Sequence, residues 1–96
     1  MLIVRKSELA KEDLINTWLY GFGKFGEQEA DNYLDDLEEK IESLANAPER
    51  YTLKTEYQPA IRICPHRSQH IIYMLEKEAI YIVRVLRKEM DIKHHL

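Results

Sequence analysis

The stretch QHIIYMLE (69–76), KE (77–78) and AIYIVRVL (79–86) decides the fold. Two runs rich in β-branched and aromatic residues flank a two-residue connection, which predicts strands over 69–76 and 79–86 paired as an antiparallel hairpin. Alternate residues of a strand face opposite sides. Ile71, Tyr73 and Leu75 therefore share one face, and His70, Ile72 and Met74 the other. In the second strand Ile80, Ile82 and Leu86 oppose Tyr81, Val83 and Val85. Both faces are apolar, so both require a cover. A pair of helices supplies one cover. The other falls to the chain's own 50–60 loop and tail, or to a second protein.

Upstream of the hairpin, Ile61–Cys64 reads as a short strand ended by Pro65. Residues 50–60 read as a loop with a short extended stretch around Leu53. Further upstream lies the clearest element: Ala30, Tyr33, Leu34, Leu37, Ile41, Leu44 and Ala45 recur at three and four, with carboxylates opposite and Pro48 as the stop. Before it, Ser7 offers an N-cap hydroxyl with Glu8 in the first turn. Leu14, Ile15, Trp18, Leu19 and Phe22 then form one apolar stripe. Gly21, Gly23 and Gly26 punctuate the end of this helix, with Gly26 at a left-handed or tight position in the turn. The short connection implies an antiparallel α-hairpin. Leu2–Arg5 opens the chain as a short strand. The expected fold is α+β in the order β-α-α-β-β-β, with a short N-terminal strand, an α-hairpin and a three-stranded antiparallel sheet, all in one domain over 1–96.

A chain of 96 residues has room for one domain and a modest core. The formal charge of −3 argues against a protein that coats nucleic acid. That average hides a split. Glu27, Glu29, Asp31, Asp35, Asp36, Glu38, Glu39 and Glu42 face Lys40 alone, whereas the second half is mildly basic. The split points to an anionic partner for the second half, or to a solvated acidic helix face beside a mixed sheet. Cys64 is the single cysteine, so no internal disulfide forms, and a reduced, cytoplasmic protein is expected. No signal peptide or membrane-spanning run is read.

The order of parts and the signals Phe25-Gly26, Leu44-Ala45 through Pro48, Ile61-Arg62, His70-Ile71-Ile72-Tyr73, and Arg84-Val85-Leu86 through Met90-Asp91 to His95-Leu96 resemble the ParE branch of the ParE/RelE toxin superfamily. The resemblance covers nearly the whole chain. It implies the toxin of a type II toxin–antitoxin module, neutralised by a cognate ParD-like antitoxin that is partly disordered when free. It implies inhibition of DNA gyrase by binding, with stabilisation of the cleaved-DNA state, and no catalysis. No cofactor, membrane contact or sequence-specific DNA binding by the toxin alone is implied. The expected gyrase contact is Arg84, Arg87, Lys88, Met90, Asp91, His94 and His95. The expected antitoxin contacts are Trp18, Tyr33, Ile72, Met74, Tyr81 and Val83. Arg87 departs from the family pattern, which often has histidine there.

The RelE branch cleaves mRNA on the ribosome and sets the alternative. Such chemistry needs clustered cations to hold a phosphate and a base to activate the 2′-hydroxyl. The candidates are Arg62, Arg67, Arg84 and His70, with Lys54 standing alone and His94 and His95 as further bases. The tail lacks the tyrosine of that pattern. A third reading is an inactive relative that only binds antitoxin. His70 also suits a structural role, with its ring bonded to backbone. Trp18, Tyr33, Leu37 and Ile41 suit the core, and the tail suits a cap on the sheet's edge. Cys64, His66, His70, His94 and His95 match no zinc spacing, and no metal site is expected.

Overall fold

A computed structural model of the chain describes residues 2–96. The elements run β1 (Ile3–Lys6), α1 (Glu8–Phe25), α2 (Glu27–Ser43), β2 (Leu53–Lys54), β3 (Ile61–His66), β4 (Gln69–Leu75) and β5 (Ala79–Arg87), followed by a 3-10 turn over Ile92–His95. The α-hairpin lies on one face of a single sheet ordered β1-β5-β4-β3-β2.

The sheet has five strands where three were expected. The opening strand joins it, pairing in parallel with β5 from Ile3 opposite Ala79 to Lys6 opposite Ile82. The extended stretch at Leu53 also joins, pairing antiparallel with Arg62 and Ile61. β1 and β5 lie far apart in the chain, and strand periodicity does not report long-range pairing; β2 has only two residues, too few to show a period.

Local chemistry sets the ends of the helices. Ser7 Oγ accepts from the Ala10 amide at 2.9 Å and donates to the Val83 carbonyl at 2.7 Å, so one hydroxyl caps α1 and ties it to β5. Gly26 takes φ 91° between the helices, a conformation open to glycine. Gly21 and Gly23 lie inside α1 instead of ending it. Gly21 faces α2, and a Cβ there would make an ordinary van der Waals contact with Ala30, 3.5 Å from its Cα. Pro65 does not end β3, which continues to His66. Beyond Arg62 the strand pairs only with β4, and a free edge tolerates the missing N–H of proline.

The main core lies between the hairpin and the sheet, with Leu14, Leu37, Ile41, Ile71, Tyr73 and Ile82 at its centre. A second cluster of Ile61, Ile72 and Leu86 fills the opposite face. Tyr57 from the loop and Met90 and Ile92 from the tail pack on it. Alternation fails in β5. The β4–β5 register slips between Ile72 and Tyr73, which leaves Val83 as an extra residue. After this bulge Val85 joins Ile80 and Ile82 on the helix side, and Leu86 turns to the opposite side.

Candidate functional site

Three surfaces hold the residues singled out from the sequence. The first is the helical layer. Leu14 is buried, but Ile15, Leu19 and Phe22 of the same stripe are 58%, 53% and 47% exposed. The helical period was real, but the stripe is wider than the sheet covers. Trp18 sits at its edge, its Nε1 donating to Asp31 Oδ1 at 2.7 Å and its ring stacked on Phe22 at 5.1 Å.

The second surface is a groove of about 670 Å³ between the hairpin tip and the β3–β4 turn. Tyr20, Phe25, Tyr33, Arg67 and Arg87 line its walls. Its floor is a closed polar chain. Gln69, 2% exposed, donates to Thr17 Oγ1 at 2.7 Å and accepts from the Tyr33 hydroxyl at 2.9 Å. Tyr33 also bonds Ser68 Oγ at 2.9 Å. Beside the groove, Asp36 receives Arg67 Nε at 2.6 Å and His66 Nε2 at 2.7 Å, and these two contacts hold its carboxyl below the usual carboxylate range. Arg67 takes φ 53°, uncommon for a residue with a side chain, in the two-residue turn between β3 and β4.

The third surface is the tail. Arg84 Nε and Nη2 clasp Asp13 at 2.8 and 2.9 Å, and the Val85 amide donates to the same carboxylate at 2.9 Å. Arg84 Nη1 reaches over to the His95 carbonyl at 2.7 Å. One guanidinium therefore joins α1, β5 and the tail, and its pairing with Asp13 raises its pKa further. Asp91 caps the 3-10 turn by accepting from the Lys93 amide at 3.1 Å. Arg87, Lys88, Lys93 and His94 are exposed around it.

This element order has known counterparts. Residues 4–92 match the family described as the ParE toxin of the type II toxin-antitoxin system, parDE. The chain belongs to the ParE toxin family. A similar protein is Toxin ParE1 of Caulobacter vibrioides, 29% identical over 92 residues that make up 96% of this chain and 95% of that protein. In fold the chain is similar to a solved structure titled as the chromosomal ParDE TA system from P. aeruginosa. That likeness has a TM-score of 0.79 at 18% identity and spans 93% of this chain and 98% of the other. The α+β architecture is thus the ParE/RelE-like one, a strand and a helical hairpin leading into a C-terminal sheet.

The basic residues considered for RNA cleavage do not come together in this ParE-family chain. Arg62 donates through Nη1 to the Tyr51 carbonyl at 2.6 Å, on the helix side of β3. Arg67 is tied to Asp36 and Arg84 to Asp13. His70 pairs with Leu86 across β4 and β5 and so lies on the face away from the helices. Burial, and then the charge of Lys88, push the His70 pKa down. Among the described residues no group of His, Cys, Asp and Glu is placed to hold a metal ion. Among them, too, no helix is long and apolar enough to cross a membrane.

Two site expectations need correction on accessibility. Ile72 has no exposed surface, because it lies in the cluster under Tyr57, Met90 and Ile92. It offers a partner no side chain while that cover stays in place. The Arg84 side chain is 13% exposed and committed to Asp13 and His95, so it positions the tail from within. Met74, Tyr81 and Val83 remain half-buried, with the Arg5 guanidinium 5.6 Å from the Tyr81 ring centre. The signal that sequence reasoning missed is Asp13. It is one carboxylate in an ordinary helical run, and only its partner far along the chain gives it a role.

Proposed function

We propose that the protein is a cytoplasmic toxin that inhibits DNA gyrase by docking on it, stabilising gyrase's cleaved-DNA state, and that a cognate antitoxin holds it inactive. Family membership over residues 4–92 supports the toxin and antitoxin parts of this reading. The observation that favours binding over RNA cleavage is the disposition of the cations. Arg62, Arg67 and Arg84 are each engaged with a separate partner, and His70 lies across the sheet from Arg62. Positioned acid–base chemistry needs such groups to converge on one reacting atom. Exposed basic side chains also line the tail at Arg87, Lys88 and Lys93, with Arg87 paired to Glu89 at 3.1 Å, and they suit electrostatic steering onto a large anionic assembly. In this reading Arg84, Met90 and Asp91 shape the tail, and Arg87, Lys88, His94 and His95 meet the target.

The test is antitoxin-free protein incubated with gyrase, ATP and relaxed plasmid. Loss of supercoiling and gyrase-dependent cleaved DNA are expected. A Lys88→Glu, Lys93→Glu double variant with unchanged thermal melting should weaken the effect by about tenfold or more, the scale of losing two steering charges. Folded protein without any effect on gyrase would overturn the reading. It would then go into a translation extract, where cut mRNA would establish the nuclease.

A further inference from the structure

We propose that His70 is an acid-sensitive catch for the tail: a proton gained on its ring releases the segment 88–96 from the sheet while the rest of the fold stays closed.

Register puts His70 on the sheet face away from the helices, opposite Pro65 on β3 and Leu86 on β5. Leu86 belongs to the cluster on which Met90 and Ile92 of the tail pack. The Lys88 amide donates to the Ser68 carbonyl at 2.9 Å, so the tail also starts two residues from His70 along β4. The ring therefore lies at the root of the flap. Its Nδ1 is buried, and among the described residues it has no hydrogen-bond partner. A neutral imidazole tolerates one such nitrogen as a bare acceptor. An imidazolium does not, because both nitrogens then carry hydrogen and each requires an acceptor.

The surrounding charges decide what a proton does there. β3 brings Ile63 and Pro65 to this face, and Arg62 turns to the helix side. Lys54 of β2 stands opposite Ile61, at the other end of β3 from Pro65. On β5, Arg84 is committed to Asp13 and Arg87 to Glu89. The loop contributes Tyr57, with Glu56 exposed beside it. In the tail, Asp91 accepts from the Lys93 amide and lies 3.7 Å from the His94 ring, and Lys93 itself is exposed. Lys88 is the charge that acts on His70, and it has the sign of the imidazolium. The histidine–carboxylate pairs among the described residues are His66 with Asp36 and His94 with Asp91, so no carboxylate answers a charge on His70.

A buried charge without a partner is relieved by water. The segment that can move aside to admit water is the tail. It is held by packing, by turn bonds and by the Arg84 contact to the His95 carbonyl, and such a segment opens at lower cost than the sheet beneath it. Burial, and then Lys88, hold the His70 pKa down while the flap is closed. With the tail released and the ring in water, the proton binds more tightly, so by linkage acid favours release. The segment carries Lys88, His94 and His95, to which the proposed function gives the target contact, but the catch stands or falls without that reading.

The experiment is amide hydrogen exchange by NMR on the full chain at about pH 7.5 and about pH 5.5, corrected for the intrinsic rate. The amides of residues 88, 90 and 94 donate to the carbonyls of Ser68, Arg87 and Asp91 and report on the closed tail. Their protection should fall by about threefold or more at the lower pH, while the amides shared by β4 and β5 keep theirs. His70→Gln, which cannot take a charge, should keep the tail protected at both. His94→Gln with His95→Gln removes the tail's own histidines and should leave the response intact. Tail protection independent of pH in the wild type would overturn the proposal. So would a response that survives His70→Gln or vanishes with His94→Gln and His95→Gln. Should His70→Gln fail to fold, the wild-type ring decides: its NMR titration must share its midpoint with the loss of tail protection, and separate midpoints would sink the idea.

Discussion

On the side towards the helices, Cys64, Ile71, Tyr73, Ile80, Ile82 and Val85 meet two long helices whose backbone hydrogen bonds are internal. On the other side, Ile61, Ile72 and Leu86 meet Tyr57, Met90 and Ile92, delivered by a loop and a single 3-10 turn. The same three strands build both faces, so the contrast comes from the covers. A cover made of helices is held by its own cooperativity as well as by packing. A cover made of irregular chain is held by packing and a few local bonds, and it opens at lower cost. The lesson is that burial alone does not rank the two sides. Ile72 and Ile82 are equally inaccessible, yet one lies under a layer and the other under a flap.

Four measurements break or sharpen that contrast. Asp13→Ala should have the largest effect, because Arg84 serves both covers, clasping α1 and holding the tail's backbone. Stranding a guanidinium that is 13% exposed should cost about 3–5 kcal/mol in urea unfolding and should speed amide exchange in the tail. Ile82→Ala, on the helix side, should cost about 2–5 kcal/mol. Ile92→Ala, in the flap, should cost roughly 1 kcal/mol, because its side chain is only partly buried. If Ile92→Ala proved as costly as Ile82→Ala, the flap would be a structural layer in its own right.

The smallest expected effect is one of pH. His70 lies on the flap side, and burial holds its folded pKa below the ordinary 6.5. The unfolded chain therefore binds more protons, so stability from this group is complete above 6.5 and is lost as pH falls towards the folded pKa. Thermal melting of wild type should decline across that window, and His70→Gln should remove part of the slope. The Asp36 contribution has the same sign but belongs to a lower range, being lost only as pH falls below the ordinary 3.8 through its depressed pKa. The two are separable in one titration.

Much of this was legible beforehand, in specific places. The β4–β5 hairpin, the amphipathic α2, the Ser7 cap and the left-handed Gly26 all follow from local rules, and local rules are what a single sequence carries. The apolar second sheet face calls for a cover, and the tail and the loop, one of the two covers open to it, pack on it. What escaped was long-range or irregular. Pairing of Ile3 with Ala79 leaves no trace in either segment. The bulge at Val83 exchanged Val85 and Leu86 between faces, since one extra residue resets a period of two. The stripe on α1 shows why: periodicity reports that a face is apolar, not whether anything lies against it. Of the candidate site residues, the sequence could mark Arg84 as a cation but not foresee that Asp13 would claim it.

The parallel pairing of β1 with β5 also sets a timetable. Val4 and Ile80 are neighbours in space but lie far apart along the chain. During synthesis β1 leaves the ribosome well before β5 and waits unpaired until β5 follows. Because β5 sits between β1 and β4, no smaller sheet that includes β1 can form first. Closure of the domain, and with it the Arg84–Asp13 clasp, is therefore a late event that depends on a contact of high sequence separation. A nascent chain stopped short of Ala79 lacks β5, the partner of β1, and the tail that follows it. A toxin built this way cannot reach its finished form before its last strand is made, and that delay is written into strand order.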